Sequence, residues 1–355
     1  MASLKPIAAS RLTRRQIDSW PVDGSGLSAR VVHCIERQKV KTVGQLRGWR
    51  EKDLLALPHF GATSAQNVRW FFNWTNRLET GHGQLPDFRA GLREFLNRQE
   101  VYVLEQRYGL TNPLFRPQMK RRTLAEVAAE MRGGLTRERV RQIEEVALQS
   151  LRDRLPAAVL ESQEVYWANR IQACGCAVAS GELDSWADDP MLGGYQPWGV
   201  LLLLSDVYSR ITFRHDYFTT LPPQVLNQVE KQILQVLHAS PQPVPFEQIL
   251  AEVSDELNFL NGQRPRLVTI MLDHHPKISG TVDRRYFLPA ASAAVLLADI
   301  LRANAGPLHF HELTRQYNER MLPHSQRGTG YILRLLNLMQ DAQRVSRAIY
   351  QLKSR

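Results

Sequence analysis

The stretch Thr136-Arg137-Glu138-Arg139-Val140-Arg141-Gln142-Ile143-Glu144 carries the residue types that read base edges. At helical spacing Val140, Ile143 and Ala147 form one apolar face, which leaves Arg137, Glu138, Arg141 and Gln142 on the opposite side, near the N-terminus. A guanidinium pairs with O6 and N7 of guanine, a carboxylate accepts from N4 of cytosine, and a side-chain amide suits adenine. A helix-turn-helix presents this end of its second helix to the major groove. Upstream, Thr123-Leu124-Ala125-Glu126-Val127-Ala128 has the Thr cap and the Glu three residues later that open a preceding helix. A second stretch, Leu57-Pro58-His59-Phe60-Gly61-Ala62-Thr63-Ser64-Ala65, reads as a tight turn that opens a helix. Free backbone N–H groups at the positive end of a helix suit a phosphate. The same residues also suit a plain capped connector between helices.

The context of each stretch points further. Leu27-Ser28-Ala29-Arg30-Val31-Val32-His33-Cys34-Ile35, Thr42-Val43-Gly44-Gln45-Leu46 and Asp53-Leu54-Leu55 precede the Gly61 turn in order. Together, over about residues 20–75, they resemble the C-terminal domain of the bacterial RNA polymerase alpha subunit. The resemblance implies that Arg30 enters the minor groove of A/T-rich DNA, with His33, Gly61, Thr63 and Ser64 on phosphate and sugar. A narrow, electronegative A-tract suits an inserted Arg. The family usually has Asn at position 33 and Lys at position 63, and the missing Lys implies weaker binding.

Val103-Leu104-Glu105-Gln106-Arg107-Tyr108-Gly109-Leu110 joins the other stretch. Over about residues 91–155 the sequence resembles region four of primary sigma factors, which reads a promoter element. That resemblance places Arg137, Glu138 and Gln142 on bases and Thr123, Arg107, Arg139 and Arg141 on phosphates, with Arg141 also within reach of a base. The turn Met131-Arg132-Gly133-Gly134-Leu135 is about two residues longer than the family's, and Lys120, Arg121 and Arg122 crowd the approach. Either feature would tilt the reading helix.

These stretches need a scaffold, and the chain has room for two to four domains in its 355 residues. Its formal charge of +10 is unevenly spread: Lys and Arg outnumber Asp and Glu 13 to 6 over residues 1–80 and 14 to 10 over 81–156. The balance reverses to 4 against 9 over 157–236 and returns to 14 against 10 over 237–355. Basic ends attract polyphosphate and an acidic middle repels it. The polar segment from about Glu79 to Ala90 reads as a flexible linker.

In the last third, Leu237, Ala239, Phe246, Val268, Met271, Leu272, Tyr286 and Leu288 recur 64 residues later. Their counterparts are Leu301, Ala303, Phe310, Ile332, Leu335, Leu336, Tyr350 and Leu352. Two copies of one unit are implied, each of three helices followed by two short strands, an order that resembles winged helix-turn-helix domains. Both DNA contact and protein docking are open to such a pair.

The expected fold is mainly α and multidomain: a helix-hairpin-helix domain over 1–78, a helix-turn-helix domain over 88–156, an acidic helical connector over 157–236, and winged-helix-like repeats over 237–289 and 290–355. The longest aliphatic run, Val200-Leu201-Leu202-Leu203-Leu204, falls far short of the roughly 20 residues of a membrane span. Three cysteines imply a reducing compartment without a disulfide framework. Cys174-x-Cys176 is a lone pair, and His274-His275 and His309-x-His311 lack carboxylate or cysteine company, so neither a metal nor another cofactor is expected. No phosphate-binding loop, dinucleotide fingerprint or nucleophile elbow occurs, and an enzyme is not expected.

The expected function is that of a cytoplasmic, nucleoid-associated regulator that recognises a promoter-like site on double-stranded DNA. RNA polymerase is a candidate second partner, because both families contact it. The rival is an adaptor that binds polymerase or an effector of a defence or mobile-element system, with DNA contact secondary. An accessory DNA-targeting subunit of a nuclease system is the remoter alternative.

Overall fold

The computed structural model describes residues 12–80, 87–113, 121–131, 134–253, 257, 262–304 and 306–353. It forms two compact units, Met1–Arg170 with Ser180–Ile211, and Ile171–Ala179 with Thr212–Arg355. As the sequence pattern implies, it is mainly helical, with small antiparallel sheets. Among the described residues no helix is long and apolar enough to cross a membrane.

In the first unit, α1 (Arg14–Asp18), α2 (Ala29–Glu36), α3 (Val43–Arg47), α4 (Glu51–Leu55) and α5 (Ala62–Thr80) enclose a core that includes Ile17, Val31, Val43 and Phe71. Thr13 and Thr42 begin α1 and α3 with reciprocal caps to Gln16 and Gln45. Arg47 ties three helices together through Asp18 at 2.8 Å and Glu79 at 2.6 Å. Next come α6 (Phe88–Phe95), α7 (Arg98–Arg107), α8 (Leu124–Glu130) and α9 (Arg137–Arg152). The expected linker is much reduced: Glu79 and Thr80 complete α5, Asp87 caps α6, and residues 81–86 lie outside the described residues.

The helix α10 (Arg154–Ala173) begins in this unit, and its Leu155 and Val159 enter the core built by α1–α5. After short 3-10 turns at Ser180–Trp186 and Pro190–Leu192 comes α11 (Pro197–Val207). Every residue of α11 from Pro197 to Leu204 is buried. Gly199 permits this, because a Cβ there would lie 2.7 Å from the Tyr108 carbonyl oxygen. Residues 157–236, expected to form one connector, are thus divided between the two units.

The second unit starts with β1 (Ala177–Ala179), β2 (Thr212–Arg214) and β3 (Tyr217–Thr219). The first repeat follows as α12 (Pro223–Ala239), β4 (Val244–Pro245), α13 (Phe246–Glu252), α14 (Arg264–His274), β5 (Ser279–Gly280) and β6 (Arg285–Phe287). The second is α15 (Pro289–Ala303), β7 (Leu308–His309), α16 (Phe310–Arg320), α17 (Thr329–Leu338), β8 (Ala342–Ser346) and β9 (Ile349–Leu352). The 64-residue offset holds down to strand register, since Val244 faces Tyr286 in one copy and Leu308 faces Tyr350 in the other.

Each copy holds one strand more than the sequence implies, β4 or β7, only two residues long and hence without a readable alternation. All three sheets run first strand, third strand, second strand. In sequence order α10, β1, two 3-10 turns, α11, β2 and β3 resemble the helix–strand–helix–helix–strand–strand order of the repeats with one short turn more, and without the sequence offset.

Candidate nucleic-acid interface

The helix-turn-helix is built by α7, α8 and α9 around Val103, Val127, Ala128, Val140 and Ile143, with Ala147 fully buried on the same stripe of α9. Thr123 opens α8 as expected, its hydroxyl accepting from Glu126 N at 3.2 Å while the Glu126 carboxylate accepts from Thr123 N. Thr136 opens α9 by accepting from Arg139 N at 3.2 Å. Within the connecting turn Gly134 has φ +65°, and residues 132 and 133 lie outside the described residues.

The first two turns of α9 expose Arg137, Glu138, Arg139, Arg141 and Gln142 together. Arg141 is clamped between Glu138, at 2.7 Å, and Glu145. That guanidinium holds the Glu138 carboxyl below its ordinary value. Arg139 donates to Gln142 Oε1 at 3.3 Å.

Arg107 stands apart from this group. Its side chain is only 16% exposed, donates through Nε to Glu144 Oε1 at 3.0 Å and also bonds the Arg122 carbonyl. Expected on a phosphate, it is instead used inside the module, because its position on α7 faces the middle of α9. Arg121 pairs with Asp206 at 2.7 Å and lies 4.7 Å from the centre of the Tyr108 ring, while Arg122 pairs with Glu130. The basic approach read from the sequence is therefore largely neutralised; Lys120 lies outside the described residues.

In the helix-hairpin-helix domain, Arg30 is exposed on the first turn of α2 and its Nη2 donates to the His59 carbonyl at 3.2 Å. His59 sits in the left-handed region at φ 63° and turns the chain into α5. Arg30, His59 and the start of α5 are thus brought together, with Gly61 and Thr63 exposed and His33 exposed one turn along α2. Ser64 is an exception: it is only 5% exposed and offers little surface to a phosphate.

A cleft of about 1000 Å³ runs between the two domains inside the first unit. His33 and Thr63 line one side, and Val146 and Gln149 of α9 the other. Asp23, Glu36, Glu94, Glu100 and Asp153 also line it. Burial and the nearby Asp23 push the Asp153 carboxyl up to about 6. Val146, exposed at 54%, is the surface feature that reading α9 for base-contacting types alone passes over.

In the second unit the two repeats differ in what they leave open. The helix α14 packs on β1, with Arg266 donating to the Cys174 carbonyl at 2.5 Å. The β5–β6 hairpin is bonded to the second repeat through Leu322 N to Gly280 O and Val282 N to Arg320 O, both 2.9 Å. In the second repeat α17 exposes Arg334, Asn337 and Leu338, and the β8–β9 hairpin exposes Arg344, Val345, Ser346 and Arg347. Lys353 is exposed too, and Asp341 is the one carboxylate between residues 329 and 353.

His275 does have carboxylate company, brought from a distant part of the sequence: its Nε2 lies 2.9 Å from Glu230 Oε1, which is 3.8 Å from His215 Nε2. Lys277 N donates to His275 Nδ1, which places the ring proton on Nε2 facing Glu230. Glu230 thus bonds His275 and stands beside His215, bringing the β2–β3 turn, α12 and the end of α14 together.

Comparison with known proteins matches both amino-terminal segments. Residues 11–71 match the family model of the C-terminal domain of the bacterial RNA polymerase alpha subunit, and residues 95–153 that of sigma-70 region 4. Both are DNA-binding domains of the transcription machinery. The chain is also similar to the DNA-directed RNA polymerase subunit alpha of Tropheryma whipplei, strains Twist and TW08/27. Identity is 35% over 71 residues, 19% of this chain and 20% of each relative. The chain therefore spans about a fifth of the length of the curated relatives it matches. No solved structure matches. The matches of these two segments to DNA-binding domains support a DNA-binding, transcription-related role.

Proposed function

We propose that the chain is a non-enzymatic, sequence-specific reader of double-stranded DNA that regulates transcription at a promoter-like site, with RNA polymerase as a second partner. The observation that carries this reading is the cluster on the first two turns of α9, where Arg137, Glu138, Arg141 and Gln142 are exposed together on a helix matched to sigma-70 region 4. Such a cluster suits base edges in the major groove, and Arg139 and Thr123 flank it for phosphates. Arg30, with His33, Gly61 and Thr63 beside it, is the minor-groove counterpart.

Glu138→Ala should relax preference at one base pair by about 1–3 kcal/mol and leave the other positions unchanged. Selection from a randomised duplex by the full-length protein measures this. A preference profile identical to wild type removes Glu138 from base reading.

The open face of the second repeat supports one further DNA contact. Arg334, Arg347 and Lys353 make no hydrogen bond or ion pair through their side chains among the described residues, and four cations face one carboxylate there. Arg334→Ala with Arg347→Ala should lower the slope of log affinity against log salt by roughly 0.9 for each phosphate no longer neutralised. An unchanged slope assigns the face to protein docking instead.

A further inference from the structure

We infer that the chain reads a single DNA duplex at two places held at one fixed separation, an inference that rests on the DNA-reading role proposed above. The helix-hairpin-helix and helix-turn-helix domains are joined by packed surface as well as by the chain. Leu155 and Val159, just past the reading helix, are buried in the core of α1–α5. Two backbone bonds lock the same junction, Arg154 N to Gly24 O at 2.8 Å and Leu155 N to Ser25 O at 2.9 Å. Gly26, at φ +100°, lies so close that a Cβ would sit 2.8 Å from Pro156 Cδ. On the other side the Glu94 carboxylate of α6 accepts from the indoles of Trp70 and Trp74, the latter at 3.0 Å, and Phe95 packs on both rings.

One face of the reading helix also runs into the cleft between the docked domains. Glu138, Gln142, Glu145 and Gln149 follow i, i+4, i+7, i+11 spacing and share one face of α9. Gln149 lines the cleft opposite His33 and Thr63, so the base-reading face of α9 runs toward the minor-groove group. The eleven steps from Glu138 to Gln149 rise about 17 Å along the helix. Half a turn of DNA, which separates a major groove from the next minor groove on the same face, is also about 17 Å. The cleft carboxylates keep phosphates off its floor and confine contact to its two rims.

The test uses full-length protein and duplexes that carry its selected major-groove site with an A-tract placed at every one-base-pair step over a helical turn. A second protein carries eight Gly and Ser residues inserted after Gly83. The expected result is one sharp optimum, with affinity lower by about tenfold or more a few base pairs away, and the same profile for the insertion protein. A broad optimum, or one that broadens on insertion, overturns the fixed separation and leaves the DNA-reading role standing. Affinity that ignores the A-tract at every spacing overturns the inference and removes the alpha-like domain from DNA reading, while a surviving preference for the major-groove site keeps the sigma-like half.

Discussion

Arg107→Ala should unfold the helix-turn-helix rather than merely loosen its hold on DNA. The arginine and its partner Glu144 have side chains only 16% and 11% exposed, and the pair joins α7 to the middle of the reading helix. Removing the cation leaves a carboxylate with little water and without the partner that bonds it, which costs about 3–5 kcal/mol. Denaturant unfolding measures the loss. The paired change Arg107→Met with Glu144→Leu replaces both charges by apolar groups of similar length and should recover most of it. A folded Arg107→Ala protein of wild-type stability that binds all sequences more weakly would instead return Arg107 to a phosphate.

Gly199→Ala should be destabilising, against the usual sign for a glycine inside a helix. Alanine ordinarily favours a helix over glycine by about 1 kcal/mol. Here the new methyl would lie 2.7 Å from the Tyr108 carbonyl oxygen and 3.3 Å from Leu110 Cα, both backbone atoms that cannot swing aside. The same junction is pinned by Gln196 N to Leu110 O at 2.7 Å and by Tyr108 Oη to Asp206 at 2.7 Å. Overpacking of this kind costs about 1–3 kcal/mol, and the helix-turn-helix should melt with α11 at a lower temperature. Gly181→Ala, with nothing within 4 Å of the added carbon, is the matched control and should be close to neutral. Equal melting temperatures for the two variants would show that α11 does not brace α7.

What could be read in advance follows from the range of the forces involved. The apolar stripe Val140, Ile143 and Ala147 and the Thr123–Glu126 cap are local, within one or two turns, and they stand as expected. The 64-residue repeat is visible because identical cores demand similar residues at identical offsets. Arg107 misled because a family resemblance assigns a position in the sequence, whereas its partner Glu144 lies 37 residues away. Arg121 finds Asp206 from 85 residues away, so of three cations read as crowding the approach to the helix two are committed to carboxylates. The docking of the two reading domains was hidden for a similar reason. A polar, glycine-containing segment describes the tether between them, while the interface is written in Leu155, Val159, Phe95 and Gly26, which lie outside it.

The clamp that Glu138 and Glu145 place on Arg141 bears on how a reader of this kind would search a genome. While no duplex is bound, two carboxylates offset the guanidinium, so the helix offers a modest positive field to phosphates that look alike everywhere. An arbitrary stretch of DNA gives back little for opening the clamp, and the protein should leave it quickly. A matched stretch supplies new partners to Arg141 and Glu138 at once, and the protein should linger. Against roughly 10⁶–10⁹ competing positions in a genome, short dwell on wrong sites shapes occupancy as much as tight hold on the right one.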